Sequence, residues 1–176
     1  MSHPGELLDK SLMDLATAVL DACVVARTHL ATAESCTGGL IAGCLTAIAG
    51  SSGVMDRGFI TYSNEAKTEM LGVPAGMIEA HGAVSEPVAE AMAAGARERA
   101  HVGVAVSVTG VAGPGGGSED KPVGTVWIGL AREGKEAYAK RHHFDGDRTA
   151  VRKQSIKAAL RMVLEELRTD RPHGGD

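Results

Sequence analysis

An apolar strand of the kind that lies inside sheets runs directly into a glycine-rich loop in the second half of this chain. Residues 102–108 are apolar and rich in β-branched side chains, which is typical of a strand covered on both faces. Five of the ten residues in 109–118 are glycine and one is proline, so we expect neither helix nor strand there. In sheets flanked by helices, ligands bind beyond the carboxyl ends of the strands. These two segments therefore predict an enclosed sheet with a loop where a ligand would lie.

The rest of the chain alternates between helical and extended patterns. Apolar residues recur every three to four positions from about 6 to 28, which predicts an amphipathic helix. The other predicted elements, in order, are a strand at 30–35, a helix at 37–50, a strand at 58–62, helices at 64–71 and 85–100, a hairpin of 125–131 with 137–144, and a helix from 145 or 147 to about 168. His81 is interpreted as a loop residue, and the tail at 169–176 is expected to be frayed. Strands separated by helices favour an α/β fold with a mainly parallel sheet covered on both faces, to which the hairpin adds an antiparallel neighbour.

Length, charge and cysteine usage restrict the class of protein. The 176 residues suit one domain over 1–176. The net charge of −4 argues against nucleic-acid binding, and the most basic stretch, 140–157, contains two aspartates and indicates a solvated helix face. No apolar run reaches the ~18 residues of a spanning helix, and no signal peptide is recognisable. Three cysteines without paired spacing predict neither a disulfide framework nor a zinc site. We therefore expect a cytoplasmic protein that binds no nucleic acid, membrane, metal or cofactor.

The junction at 34–39 is the first candidate functional segment, because a predicted strand ends and a predicted helix begins there within about two residues. Ser35 would then lie close to free backbone N–H groups and the positive end of a helix dipole, which suit an anionic ligand or an oxyanion. Gly38 and Gly39 would let a substrate approach the backbone closely. The alternative is structural, with Ser35 or Thr37 as the helix N-cap and the glycines as a packing contact. On this segment alone the structural interpretation is favoured.

Three further features carry groups that suit chemistry or binding. Lys67 can serve as a base for a serine hydroxyl if burial lowers its pKa, and Tyr62 can share a proton with it, although spacing alone favours a surface lysine. The loop at 109–118 can form an anion-binding nest or a flexible connection. Arg148 can hold a phosphate through two contacts, or it can be a solvated residue at a capped helix start.

Five ordered blocks of sequence resemble the carboxy-terminal domain of the CinA (competence and damage-inducible) family. They are TAESCTGG at 32–39, YSNEAK at 62–67, HGAVS at 81–85, VTGVAGP at 108–114 and KPVGTV at 121–126. The resemblance covers about 7–167 and implies a three-layer α/β/α sandwich with a mixed sheet. Stand-alone members of the family are nicotinamide-nucleotide amidases, which convert nicotinamide mononucleotide and water to nicotinate mononucleotide and ammonia in pyridine nucleotide salvage.

The resemblance also implies a catalytic group. Its serine, tyrosine and lysine fall on Ser35, Tyr62 and Lys67, with Ser35 as nucleophile, Lys67 as base and Tyr62 assisting proton transfer. We expect N–H groups within 35–38 or at Gly110 to hold the oxyanion. The expected substrate contacts are Cys36, Thr37, Gly38, Gly39, Thr109, Gly110, Gly113, Gly115, Gly116 and Arg148.

Other interpretations remain at this level. The domain can be a non-catalytic nucleotide-binding or regulatory module connected with competence or DNA damage, or it can be an amidase for another small amide. The resemblance and the apolar helices together make a homodimer the expected assembly.

Overall fold

The computed structural model describes residues 8–169, so the first positions of the helix predicted from residue 6 and the tail at 170–176 lie outside the described residues. The described elements are α1 (Lys10–Ala26), β1 (Leu30–Glu34), α2 (Leu40–Thr46), a 3₁₀ turn (Ser51–Gly53), β2 (Met55–Ile60), α3 (Asn64–Leu71), α4 (Ala75–His81), α5 (Glu86–Ala100), β3 (Val104–Gly110), β4 (Thr125–Arg132), β5 (Tyr138–His143) and α6 (Arg148–Arg168).

The strands form one mixed sheet in the order β2-β1-β3-β4-β5. β1 pairs in parallel with both β2 and β3, whereas the pairs β3–β4 and β4–β5 are antiparallel. Because β2, β1 and β3 are neighbours that run in the same direction, their carboxyl ends meet at one edge of the sheet. The residues that follow these three strands are therefore brought together in space.

Helices cover both faces of the sheet. One apolar core packs α1, α2 and α6 against the sheet, and a second packs α3, α4 and α5 against the opposite face. The two-residue period of β1 divides its side chains between them, because Leu30 belongs to the first core and Ala31 and Ala33 belong to the second. The predicted α/β class with three layers is confirmed. Among the described helices, none combines the length and the apolar character that crossing a bilayer requires.

Local capping explains the elements that were predicted well. Ser63 accepts a hydrogen bond from the N–H of Ala66, and Gly72 ends the same helix in a left-handed conformation, so α3 matches the predicted 64–71. Asp147, rather than Asp145, caps α6 by accepting from the N–H of Ala150.

Several predicted boundaries shift by a few residues, and the short helix α4 was not predicted. α2 is shorter than 37–50, and β2 begins three residues before residue 58 because pairing with β1 extends a strand whose own side chains are mostly exposed. Residues 109 and 110 belong to β3 rather than to the loop, since both pair with β4. The interpretation of His81 as a loop residue was wrong, because it is the last residue of the short helix α4.

Gly95 lies where α5 crosses the end of α3, and a Cβ placed on it would clash with the carbonyl oxygen of Leu71. Gly95→Ala is therefore expected to lower the free energy of unfolding by about 2 kcal/mol, because the added methyl group overpacks this crossing. Urea denaturation would measure the change. Gly76→Ala in α4 is the matched control, because a Cβ there meets nothing within 4 Å. Equal stability of Gly95→Ala and the wild type would contradict this close crossing.

Candidate active site

A cleft of about 540 Å³ opens at the edge of the sheet where β1, β2 and β3 end. Ser35 directly follows β1, Gly110 ends β3, and the first turn of α6 adds Arg148. The described residues that line the cleft are Ser35, Cys36, Tyr62, Asn64, Lys67, Ala83, Val84, Gly110, Val111, Ala112, Gly113, Gly115, Gly116 and Arg148. The three expected catalytic residues and six of the expected substrate contacts thus share one cleft.

Lys67 points into the protein and reaches the nucleophile candidate. Its Nζ lies 3.1 Å from Oγ of Ser35, 2.9 Å from the carbonyl oxygen of Thr61 and 3.4 Å from that of Tyr62. The residue is only 1% exposed, which corrects the local interpretation as a surface lysine. Burial lowers the pKa of Lys67 below its ordinary value, because the charged form loses its hydration.

The orientation of Lys67 follows from the helix that carries it. Lys67 and Leu71 are the two buried residues of α3, and their spacing of four places them on one face. Leu71 packs in the second apolar core, so the same face directs Lys67 into the protein. The spacing of four from Lys67 to Leu71 is a sequence signal of this orientation that sequence reasoning did not use.

The turn after β1 is held from two sides. The buried carboxylate of Glu34 accepts hydrogen bonds from the N–H groups of Ile41 and Ala42 at 2.8 and 3.1 Å, which ties the start of α2 to the end of the strand. From α6, Nε of Arg152 donates to the carbonyl oxygen of Cys36 at 3.1 Å and Nη2 donates to that of Thr37 at 3.4 Å. Sequence reasoning did not identify Glu34, whose contacts depend on how the following turn folds, or Arg152, whose contacts span more than 110 positions.

The hydrogen bonds of this turn restrict which N–H groups can hold an oxyanion. The N–H of Ser35 already donates to the carbonyl oxygen of Val108 at 2.9 Å, and the N–H of Gly38 donates to that of Ser35 at 3.0 Å. The N–H groups of Cys36 and Thr37 donate to no other residue within the described part of the chain. Of the four donors expected at 35–38, these two therefore remain without an acceptor; Cys36 lines the cleft, whereas Thr37 is fully buried.

Cys36 adjoins Ser35 in the cleft but has a different reactivity. Burial raises the pKa of the Cys36 thiol to about 11. Because the thiolate is the nucleophilic form, the thiol is poorly reactive near neutral pH. The hydroxyl of Ser35, which contacts the buried amine, is the better candidate nucleophile.

Arg148 and Tyr62 form the rim of the cleft. Nη1 of Arg148 donates to the carbonyl oxygen of Gly113 at 2.8 Å, and Nη2 donates to the hydroxyl of Tyr62 at 3.1 Å. The side chain of Tyr62 is 62% exposed, and it is the backbone carbonyl of this residue that Lys67 contacts. The structure thus places the tyrosine hydroxyl at the mouth of the cleft, in contact with a guanidinium group.

Four expected contact residues are not among those that line the cleft. Gly38 and Gly39 have φ of +58° and +96°, a left-handed backbone that favours glycine, and they turn the chain into α2. Thr109 is buried and donates from Oγ1 to the carbonyl oxygen of Ala83 at 2.9 Å, so it holds another wall of the cleft. Oγ1 of Thr37 is buried and has no hydrogen-bond partner among the described residues.

The fold and the cleft define an α/β protein that pairs a serine hydroxyl with a buried lysine amine at the carboxyl edge of its sheet. The sequence profile of the CinA C-terminal domain matches residues 12–167, and the chain belongs to that family. It is 49% identical over 160 residues to the nicotinamide-nucleotide amidohydrolase PncC of Escherichia coli K12, with 91% of this chain and 97% of that protein covered.

One further relative is a longer protein that contains a similar segment, and one solved structure has a similar fold. A CinA-like protein of Akkermansia muciniphila is 50% identical over 150 residues, which cover 84% of this chain and 36% of that longer protein. The crystal structure of the competence/damage inducible protein CihA from Agrobacterium tumefaciens superposes with a TM-score of 0.87 at 43% identity. That similarity covers 96% of this chain and 99% of the other chain.

Proposed function

We propose that this protein hydrolyses the carboxamide of nicotinamide mononucleotide to nicotinate mononucleotide and ammonia, with Ser35 as the nucleophile. The observation that carries the proposal is the 3.1 Å contact between Oγ of Ser35 and the buried Nζ of Lys67. The substrate is inferred from the similarity to an Escherichia coli nicotinamide-nucleotide amidohydrolase, which extends over nearly the full length of both chains.

The surroundings of Lys67 favour its action as a base. A neutral amine has two N–H donors and one lone pair. The carbonyl oxygens of Thr61 and Tyr62 can accept the two donors, at 2.9 and 3.4 Å, which leaves the lone pair for the hydroxyl of Ser35. Burial enlarges the neutral fraction by lowering the pKa of Lys67. The hydroxyl of Ser35 can therefore donate to Nζ, as general-base catalysis requires.

The proposed reaction has two steps. Oγ of Ser35 attacks the carboxamide carbon while its proton passes to Nζ of Lys67, and the N–H of Cys36, which lines the cleft, holds the oxyanion. The C–N bond then breaks, and the leaving amino group takes the proton from Lys67 and departs as ammonia. A water molecule, deprotonated by Lys67, attacks the resulting ester; the C–O bond to Ser35 then breaks, Oγ takes the proton from Lys67, and nicotinate mononucleotide is released. We propose that the hydroxyl of Tyr62 assists proton transfer near the mouth of the cleft.

The proposal is tested by measuring ammonia release from nicotinamide mononucleotide, nicotinamide riboside, nicotinamide and NAD at equal concentration. We expect the mononucleotide to have the highest kcat/KM, because phosphate contacts contribute to transition-state binding. Binding of the mononucleotide without ammonia release would instead identify a regulatory module. Equal turnover of free nicotinamide would identify an amidase of different specificity.

Arg148 is proposed to bind the substrate phosphate, since its guanidinium group lies at the rim between Gly113 and Tyr62. Arg148→Gln is expected to lower kcat/KM for the mononucleotide by about tenfold or more, because a charged hydrogen bond is lost, and to leave the riboside nearly unaffected. Arg141→Gln is the matched control, because Arg141 also donates to a loop carbonyl, that of Asp120, but lies outside the cleft. Equal losses for both substrates would show that Arg148 only supports the loop.

Arg152 is proposed to position the two free N–H groups through the carbonyl oxygens of Cys36 and Thr37. Arg152→Lys is expected to lower kcat by about 10- to 100-fold with little change in KM, because the oxyanion forms only after binding. Lys153→Gln is the neighbouring control. Lys153 directly follows Arg152 on α6, but its Nζ pairs with Asp9 at 2.6 Å and not with the turn after β1. A rise in KM at unchanged kcat would contradict this role.

Two expectations about the whole protein are also proposals. We propose a cytoplasmic homodimer, on the basis of the family resemblance and the cysteine pattern. Light scattering would then give a mass of twice 18.1 kDa for the purified protein. A monomeric mass at micromolar concentration would contradict the dimer.

A further inference from the structure

A second cleft, of about 520 Å³, lies between β5 and α6 and shares no lining residue with the candidate active site. The two-residue period of an extended chain places Lys140, His142 and Phe144 on one side of it. The helical spacing of α6 places Lys157 and Arg161 opposite. This β5–α6 cleft is formed by the basic stretch 140–157 together with residues of α6 up to Glu165. The interpretation of that stretch as a solvated helix face was therefore incomplete, because part of the stretch lines a cleft.

Within the described part of the chain, the cations of the β5–α6 cleft have no ion-pair partner. Lys140, Lys157 and Arg161 form no ion pair with any residue in 8–169, and Glu165 is the only acidic residue that lines the cleft. By contrast, Nζ of Lys153, also on α6, pairs with a carboxylate oxygen of Asp9 at 2.6 Å. Three unpaired cations around one cavity, in a chain of net charge −4, indicate a site for a multiply charged anion.

The same cleft has an aromatic wall made of two stacked rings. The rings of His142 and Phe144 stack with centroids 5.2 Å apart and planes inclined by 18°. Burial, with a further contribution from Lys140, lowers the pKa of His142 and favours its neutral ring, which stacks on a base without adding charge. An anion bound beside it would reverse part of this effect and raise the pKa of His142.

We propose that the β5–α6 cleft binds a nucleoside polyphosphate, with the phosphates on Lys140, Lys157 and Arg161 and the base against the His142–Phe144 wall. A diphosphate carries about three negative charges, which matches the three cations, and the cavity has the volume usual for such ligands. The ring wall distinguishes this class from inorganic phosphates, for which a cationic pocket alone would suffice. The inference does not depend on the proposed amidase activity.

The test is calorimetric titration of the full-length protein with ADP, pyrophosphate and adenosine at low salt. We expect ADP to bind with one site per chain and more tightly than pyrophosphate. Lys157→Gln/Arg161→Gln should weaken ADP binding by about tenfold or more. Phe144→Leu should weaken ADP binding by about threefold or more, while leaving pyrophosphate binding unchanged.

Two controls locate the site. Arg148→Gln removes a cation from the candidate active site, and Lys10→Gln/Arg168→Gln removes two exposed charges elsewhere, so both variants should bind ADP as the wild type does. In NMR titrations, saturating ADP should raise the pKa of His142. Three results would each overturn the proposal: undiminished ADP binding in the cleft double variant, an equal loss in either control variant, or pyrophosphate binding as tightly as ADP.

Discussion

Replacing Ser35 by alanine is expected to abolish the release of ammonia from nicotinamide mononucleotide, with kcat falling by about 10³-fold or more. The substitution removes the proposed nucleophilic oxygen, which lies 3.1 Å from Nζ of Lys67. Binding of the mononucleotide should change little, because the proposed phosphate contact at Arg148 and the loop after β3 remain. The measurement is single-turnover ammonia release, paired with calorimetric binding of the unreacted substrate.

Ser52→Ala is the matched control for this loss. Ser52 is exposed and lies in the short turn before β2, outside the cleft. The activity and the stability of the Ser52→Ala variant should therefore equal those of the wild type. Circular dichroism should show the same fold for both variants. Normal turnover by Ser35→Ala would eliminate the serine mechanism while leaving the fold assignment intact.

Lys67→Met is expected to lower kcat by about 10²- to 10⁴-fold, the range that removal of a general base produces. Methionine has a similar length and no charge, so it can occupy the buried position without the amine. In the wild type the rate should rise with pH as Lys67 loses its proton, with a midpoint below the ordinary lysine value of about 10.4 because burial lowers this pKa. The variant should lack that rise.

Stability gives a second readout for Lys67. Because the pKa of Lys67 is lower in the folded state than in the unfolded chain, the unfolded chain binds more protons between the two values. The free energy of unfolding of the wild type should therefore increase as pH rises through that window, and this contribution should be absent from Lys67→Met. Lys10→Met, at a lysine that is 87% exposed, is the control that should keep wild-type behaviour in both assays. Full activity of Lys67→Met would exclude the lysine as the base.

The general architecture was predictable because its signals are local. Apolar periodicity, capping residues and glycine stops lie within a few positions of the elements they define, as at Ser63 and Gly72 for α3. The resemblance of ordered motifs then supplied the three residues of the proposed catalytic group. Local spacing alone favoured a surface position for Lys67, and the resemblance outweighed it.

The features that sequence reasoning missed depend on contacts between distant segments. β2 extends further than its own pattern indicates because β1 pairs with it. Arg152 contacts the turn after β1 from more than 110 positions along the chain, and nothing around it in the sequence indicates this contact. Likewise, the N–H of Ser35 is occupied by Val108, a residue of β3, so only the assembled sheet shows which donors remain free.

The bracing of the Ser35 turn also has a consequence for protein synthesis. Its supports come from Glu34, from Val108 and from Arg152, which leave the ribosome in that order. The contacts from Arg152 are the last of these to become available, because they require α6 to have emerged and docked. We therefore expect chains that stop before this helix to lack amidase activity.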